Sequence, residues 1–246
     1  MSEQIVLVTG SSGGIGAAVV STLNRRGDVV IGADRESKPD QEVDSFFELD
    51  VTDEEQTRQL VGSVFKKYGR IDALVHAAGV LGGTPDPFAT STSEFEQIMR
   101  INAAGTFTIA REVGNIMRES GTAGTMLLLS SVAAKEARVD YLPYNASKIA
   151  VLHIMWSMAK ILGPDGISVN AVNPGPVNTP LWSQLAEQSG AAQAARAARA
   201  QQLPMQRFAE PAEVARSIEF LTAPENRYLT GLSMDVAGGA HLGMGT

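Results

Sequence analysis

Tyr144 and Lys148 stand four positions apart in Tyr144-Asn145-Ala146-Ser147-Lys148, at the head of a helical pattern that continues past Trp156. Residues i and i+4 share a helix face, so the phenol and the ammonium point into the same space. A free phenol has a pKa of ~10 and is a poor base at neutral pH, but a nearby ammonium favours phenolate. The pair therefore suits general acid/base work on an alcohol or a ketone, with Lys148 expected to lower the Tyr144 pKa. Ser131 lies thirteen residues upstream, just past an apolar run at 125–130, where its hydroxyl could hold the same substrate oxygen. Alone, such a pair reads as a surface Tyr and Lys. A second constellation changes that.

It is Thr9-Gly10-Ser11-Ser12-Gly13-Gly14-Ile15-Gly16, set between an apolar run at 4–9 and a helical pattern from Ala17. Glycine is needed where the backbone takes φ > 0 or where a Cβ would hold off a pyrophosphate. The helix that follows presents free N–H groups and a positive dipole end to phosphate. Strand, glycine turn and helix in that order are the context the motif requires, so Gly10, Ser12, Gly14, Ile15 and Gly16 form a candidate dinucleotide cradle. A second run, 28–33, leads into Asp34, 18 positions after Gly16. A carboxylate there accepts hydrogen bonds from the ribose hydroxyls of NAD and repels the extra phosphate of NADP. Arg35 next door could clamp that phosphate, which leaves NADP as the less favoured cofactor.

The elements that must position these groups are legible as alternating patterns. Strand candidates are 4–9, 28–33, 45–49, 71–76, 125–130, 167–172 and 232–236, separated by helical stretches. Several, such as Met126-Leu127-Leu128-Leu129, are apolar throughout, as a strand covered on both faces should be. The expectation is an α/β doubly wound fold, with seven parallel strands flanked by helices on both faces, forming one domain over 1–246. Thr52 with Glu55, and Ser91 with Glu94, have capping-box spacing, and Pro211 suits a first helical turn. Asp53-Glu54-Glu55 reads as a helix start, not a metal site. Only 15 residues separate Asp34 from Asp50, too few for a helix and a strand, so a loop should join the second and third strands. Leu181 to Gln202 is alanine-rich and favours helix, either as a solvated surface helix or as a mobile lid.

Bulk composition narrows the partners. With 246 residues, 44% apolar, the chain can bury a substantial core. Net charge is −7 and no basic stripe is interleaved with aromatics, which argues against nucleic acid. No apolar run approaches the ~20 residues of a membrane span, and no basic region precedes the first apolar run, so a cytoplasmic protein without a signal peptide is expected. There are no cysteines, which rules out disulfides and thiolate chemistry.

These motifs together closely resemble the short-chain dehydrogenase/reductase family, nearly end to end: Thr9-Gly10-x-x-x-Gly14-x-Gly16 its cofactor motif, Tyr144-x-x-x-Lys148 its catalytic motif, and Ser131 its serine. The resemblance implies a catalytic set of Asn102, Ser131, Tyr144 and Lys148, with Asn102 supporting a water-mediated proton relay through the lysine. It implies that Asp50 and Val51 bind adenine, and that Pro174, Gly175, Val177 and Thr179 belong to the nicotinamide loop, where Val177 and Thr179 hold the carboxamide. Lys148 would also hold the nicotinamide ribose. The family's Asn-Asn-Ala-Gly reads His76-Ala77-Ala78-Gly79 here. Ala77 loses an amide, while Ala77 and Gly79 keep the backbone approach to the cofactor; His76 is a candidate second base. Pro204-Met205-Gln206-Arg207 and Ala237-Gly238-Gly239 resemble C-terminal signatures. Family topology makes 181–203 the substrate lid, and implies a homotetramer with His153 and Trp156 as contact residues.

The function this implies is hydride transfer between NAD and a secondary alcohol or ketone. The short loop after Asp34 and Arg138, seven residues after Ser131, give a looser likeness to the family's dihydro-dihydroxybenzoate and cis-diol dehydrogenases. A 3-oxoacyl thioester reductase is the alternative. A non-catalytic dinucleotide sensor would be expected to lose one of the four catalytic residues, and all four are present. Leu81, Arg138, Tyr141 and Trp182 are candidate pocket residues, and Arg138, Arg196 or Arg199 could meet a substrate carboxylate.

Overall fold

The structure is a computed structural model that describes residues 3–35, 42–84, 86–180 and 192–242. Seven strands form one sheet: β1 (Ile5–Thr9), β2 (Val29–Asp34), β3 (Ser45–Glu48), β4 (Ala73–His76), β5 (Thr125–Leu129), β6 (Ser168–Pro174) and β7 (Ser233–Val236). Their order is β3-β2-β1-β4-β5-β6-β7, with every neighbouring pair parallel. The chain winds outward from β1 to β3, then crosses back to β4 and winds the other way. Between β1 and β4 the direction of winding reverses, and open sheets of this kind bind ligands at that point, beyond the carboxyl ends of the strands.

Helices cover both faces. One carries α2 (Glu54–Tyr68), α4 (Gly105–Ser120) and α5 (Leu142–Leu162); the other carries α1 (Gly14–Arg26) and α7 (Pro211–Thr222). β5 shows why a continuous apolar run is required: Met126 and Leu128 enter the first layer, while Leu127 and Leu129 enter the second. Between α3 (Thr92–Met99) and α4 lies one π-helical turn, Arg100–Ala104. α6 (Ala192–Gln201) occupies the alanine-rich segment. The rest of the expected lid up to α6, 181–191 with Trp182, lies outside the described residues.

Three expectations need adjustment. α1 begins at Gly14, inside the glycine motif, not at Ala17. α2 is capped by Asp53, whose carboxylate accepts from Gln56 N, and not by Thr52. The cause is Asp50, whose Oδ1 accepts from Thr52 N at 2.8 Å and commits Thr52 to the preceding turn. Glu54 and Glu55 pair with Arg58 across one helical turn, and Glu54 also meets Arg111. Ser91 does cap α3, but Glu94 turns away to accept from Gly83 N. Of the loop expected after Asp34, residues 36–41 lie outside the described residues, and 35 and 42–44 are not helical.

Candidate active site

β1 ends in the glycine turn, where Gly10 takes φ +71° and lies so close to β4's exit that a Cβ would sit 2.5 Å from Ala78 N. A Cβ on Gly16 would lie 2.0 Å from Gly10 O, so the turn folds onto the first turn of α1 only without side chains. Gly13, the N-cap of α1, offers no side-chain cap, and the first turn holds no acidic residue. The helix start is thus left open to an anion from outside. It opens into a cleft of about 580 Å³ that runs from Asp34 and Asp50 past Gly10, Ser12, Gly14, Ile15 and Gly16 to Thr179. A dinucleotide fits this cradle, its anionic centre against the uncapped helix.

At the far end of the cleft, Asp34 closes β2 and accepts from Ser12 N at 2.9 Å, which fixes its carboxylate over the glycine turn. Asp50 is held below the usual carboxylate range first by the Thr52 backbone N–H, with the fields of Arg35 and Arg100 adding to it against burial. Val51, Ala77 and Gly79 line the cleft where expected. Gln97, Arg100 and Ile101 also line it. Nothing in their residue types singles them out; Gln97 comes from α3, and Arg100 and Ile101 from the π turn.

The cleft continues into a second cavity of about 160 Å³; both are bordered by Ile15, Ala77, Gly79, Val80, Leu129 and Thr179. Ser131, Tyr144 and Lys148 line this cavity together, opposite Pro174, Gly175 and Val177. β5 and α5 are laced to each other here: Ser130 Oγ donates to Lys148 O at 2.8 Å, and Lys148 Nζ donates to Leu129 O at 3.0 Å. Lys148 Nζ lies 5.6 Å from the centre of the Tyr144 ring. The 174–179 loop is pinned on its other side, where Val177 bridges to Ala209 and Ala209 N donates to Pro176 O.

The electrostatics differ from expectation in one respect. Burial pushes the Tyr144 phenol up, and what pulls it back down is the Ser131 hydroxyl and then the Arg138 guanidinium, not Lys148. Lys148 is itself pushed down to about 8 by burial. Desolvation disfavours its charged form and so makes the ammonium a stronger acid, while its hydrogen bond runs to a backbone carbonyl, Leu129 O.

Asn102 is brought beside the site but not into it. It is fully buried on the π turn, where its Nδ2 donates to Val80 O and Ser147 Oγ, and its Oδ1 accepts from Val80 N. A Cβ on Gly79 would lie 3.1 Å from Asn102 Oδ1 and 3.3 Å from Lys148 Nζ. Asn102 thus fixes the 79–80 turn next to the lysine. His76 lines neither the cavity nor the cleft. Its Nδ1 hydrogen-bonds Thr9 Oγ1 at 2.7 Å, its Nε2 is buried without a partner among the described residues, and burial, with Lys148's charge second, pushes its pKa down to about 3. A ring so placed is a neutral core residue, not a second base.

Leu81, Arg138 and Tyr141 also line the cavity. Of the two α6 arginines expected near a substrate carboxylate, Arg196 hydrogen-bonds Asn178 Oδ1 and stacks 5.3 Å from the Phe208 ring, and Arg199 binds Gln202. Neither lines the cavity or the cleft. The two C-terminal signatures meet each other, with Met205 N donating to Gly238 O.

Comparison with known proteins agrees with this geometry. A family model described as Enoyl-(Acyl carrier protein) reductase matches residues 10–241. The chain is 33% identical to an L-fucose dehydrogenase from Bos taurus, over 98% of this chain and 91% of that one. It superposes on the aldohexose dehydrogenase of Thermoplasma acidophilum with a TM-score of 0.91 at 29% identity, covering 98% and 94% of the two chains. An actinorhodin polyketide ketoreductase solved with NADPH gives 0.90 at 27% identity, covering 97% of each. With the cradle, the serine and the Tyr–Lys helix in their places, the chain belongs to the short-chain dehydrogenase/reductase family of oxidoreductases.

Proposed function

We propose that the chain is an NAD-dependent dehydrogenase of secondary alcohols, with a cyclic diol or related ring alcohol as substrate. The carrying observation is the cavity in which Ser131, Tyr144 and Lys148 converge, continuous with the glycine-lined cleft. When bound, the nicotinamide takes up or returns the hydride. Ser131 orients the reacting oxygen, and Tyr144 as phenolate takes the hydroxyl proton as the carbonyl forms. Lys148 holds the nicotinamide ribose and passes the proton onward, while Asn102 acts by positioning the 79–80 turn beside it. The cofactor assignment rests on Asp34 fixed by Ser12, and on Arg35 acting on Asp50. In this reading Val177 and Thr179 hold the carboxamide, and 181–203 is the lid, latched where Arg196 meets Asn178. A homotetramer completes the proposal.

The raised phenol pKa favours the protonated form, which suits the reverse direction, so reduction of a 3-oxoacyl thioester is the second reading. The test is NADH formation against cyclic diols, secondary alcohols and hydroxyacyl thioesters. Tyr144→Phe should lower turnover by ~10²–10⁴-fold with NAD affinity retained, the range for a general acid/base group. A Tyr144→Phe enzyme that kept most of its activity would sink the assignment.

A further inference from the structure

Arg138 borders the same cavity as Ser131 and Tyr144. Its Nε and one terminal nitrogen fork onto the two oxygens of Asp140, at 3.1 and 3.4 Å, and the other terminal nitrogen lies 4.0 Å from Glu136. That last nitrogen makes no hydrogen bond among the described residues. The segment is braced on both sides. Asn145 Nδ2 donates to Asp140 O at 2.7 Å, and Tyr141 N donates to Thr84 O at 3.2 Å. Tyr141 itself sits at φ +53°, a left-handed conformation that persists in a non-glycine residue only when its surroundings hold it. The guanidinium is therefore fixed at the cavity wall.

Its charge is already met twice over. Glu136, Arg138 and Asp140 sum to −1, and one Glu136 oxygen is buried without a hydrogen-bond partner among the described residues. A substrate carboxylate would have to displace Asp140 or add a third anion beside two, which is unfavourable at a partly desolvated site. A neutral oxygen meets no such obstacle. The nitrogen not bonded to Asp140 keeps N–H donors for a hydroxyl or ring oxygen, and donors on a cation make the stronger hydrogen bonds. While Ser131 and Tyr144 hold the reacting oxygen, Arg138 can read a second one on the same small molecule.

We propose that Arg138 is a specificity-determining residue, selecting neutral substrates with a second oxygen near the reacting carbinol, a vicinal diol or a sugar ring, over hydroxy acids. This rests on the dehydrogenase reading above. The test compares kcat/KM with NAD for cyclohexanol, cis-1,2-cyclohexanediol, L-fucose and 2-hydroxycyclohexanecarboxylate. The wild type should favour the diol or the sugar over the carboxylate. Arg138→Met should lower the ratio of diol or sugar to cyclohexanol by about ten- to a hundredfold, mainly through KM, the scale of a lost hydrogen bond to a charged group. Arg138→Gln should recover part of that ratio, and Asp140→Asn, which frees the guanidinium, should raise relative activity on the carboxylate. An unmoved ratio in Arg138→Met, with cyclohexanol still oxidised, would overturn this inference alone. No NADH from any neutral alcohol with the wild type would overturn the dehydrogenase reading as well. If Arg138→Met does not fold, Asp140→Asn decides, and unchanged selectivity there counts against the proposal.

Discussion

His76 shows what one buried titratable side chain does to the pH dependence of the whole chain. An unfolded histidine titrates near 6.5, whereas the ring beneath the site is pushed down to about 3. Between those values the unfolded chain binds a proton that the folded chain refuses, so stability falls as pH drops through the window. The slope approaches ~1.4 kcal/mol per pH unit. His76→Asn should flatten it, as read from urea unfolding at pH 6.5, 5.5 and 4.5; identical slopes in the two proteins would mean that the ring is not the group responsible. Asp34 acts at the same scale on the cofactor. Held by Ser12 N, it should make NAD bind at least tenfold tighter than NADP, about 1.4 kcal/mol. Asp34→Ala should narrow that gap, and equal affinities in the unaltered protein by fluorescence titration would contradict the assignment. The phenol's pKa was the part of the site least open to reading from sequence. Spacing puts Tyr144 and Lys148 on one face, but the burial of both and the approach of Arg138 are tertiary facts that no local pattern carries.

At the scale of elements, two glycines of one motif should respond differently to the same added methyl group. On Gly16 the new Cβ would meet backbone at 2.0 Å, and the turn would have to open; on Gly14 it would meet the Thr179 side chain at 2.7 Å. Gly16→Ala should therefore lose most NAD affinity and lower the melting temperature. Gly14→Ala should be milder, and further eased by Thr179→Ser. Calorimetric titration of both variants checks the order, and equal losses would show that the turn is not as tightly folded as described. The glycines themselves were legible because φ > 0 and close approach leave no alternative residue. The central strands were legible because a fully buried strand must be apolar throughout, and the observed strand ends lie within two residues of the expected ones. The π turn was not. Apolar spacing runs through 93–119 without interruption, and the extra residue becomes visible only where Asn102 turns inward to clasp Val80. The Thr52–Asp53 ambiguity has a similar origin. Both types cap well, and only the Asp50 bond to Thr52 N decides between them.

For the whole molecule, the doubly wound sheet uses up both apolar layers yet leaves a stripe uncovered. Leu142, Ile149 and Trp156 recur every seven residues along α5 and are each about half exposed, and exposed His153 stands between the last two. Phe107 on α4 is also exposed, with Arg111 lying over its ring. Seven residues is close to two helical turns, so the stripe stays on one side of α5, away from the side on which Val151 and Met155 enter the core. A two-fold axis against this side would pack the stripe against the same stripe of a second copy, as an isologous interface requires. Sedimentation equilibrium at micromolar concentration should give a tetramer, with a dimer as the next state. Ile149→Glu combined with Trp156→Glu would set like charges against each other across the axis and should shift the protein to smaller species. The first turns of α5 also carry Tyr144 and Lys148, so dissociation should lower both the melting temperature and kcat while the sheet stays folded. A wild-type monomer, or a double variant that still sediments as a tetramer, would place the assembly surface elsewhere than on α5.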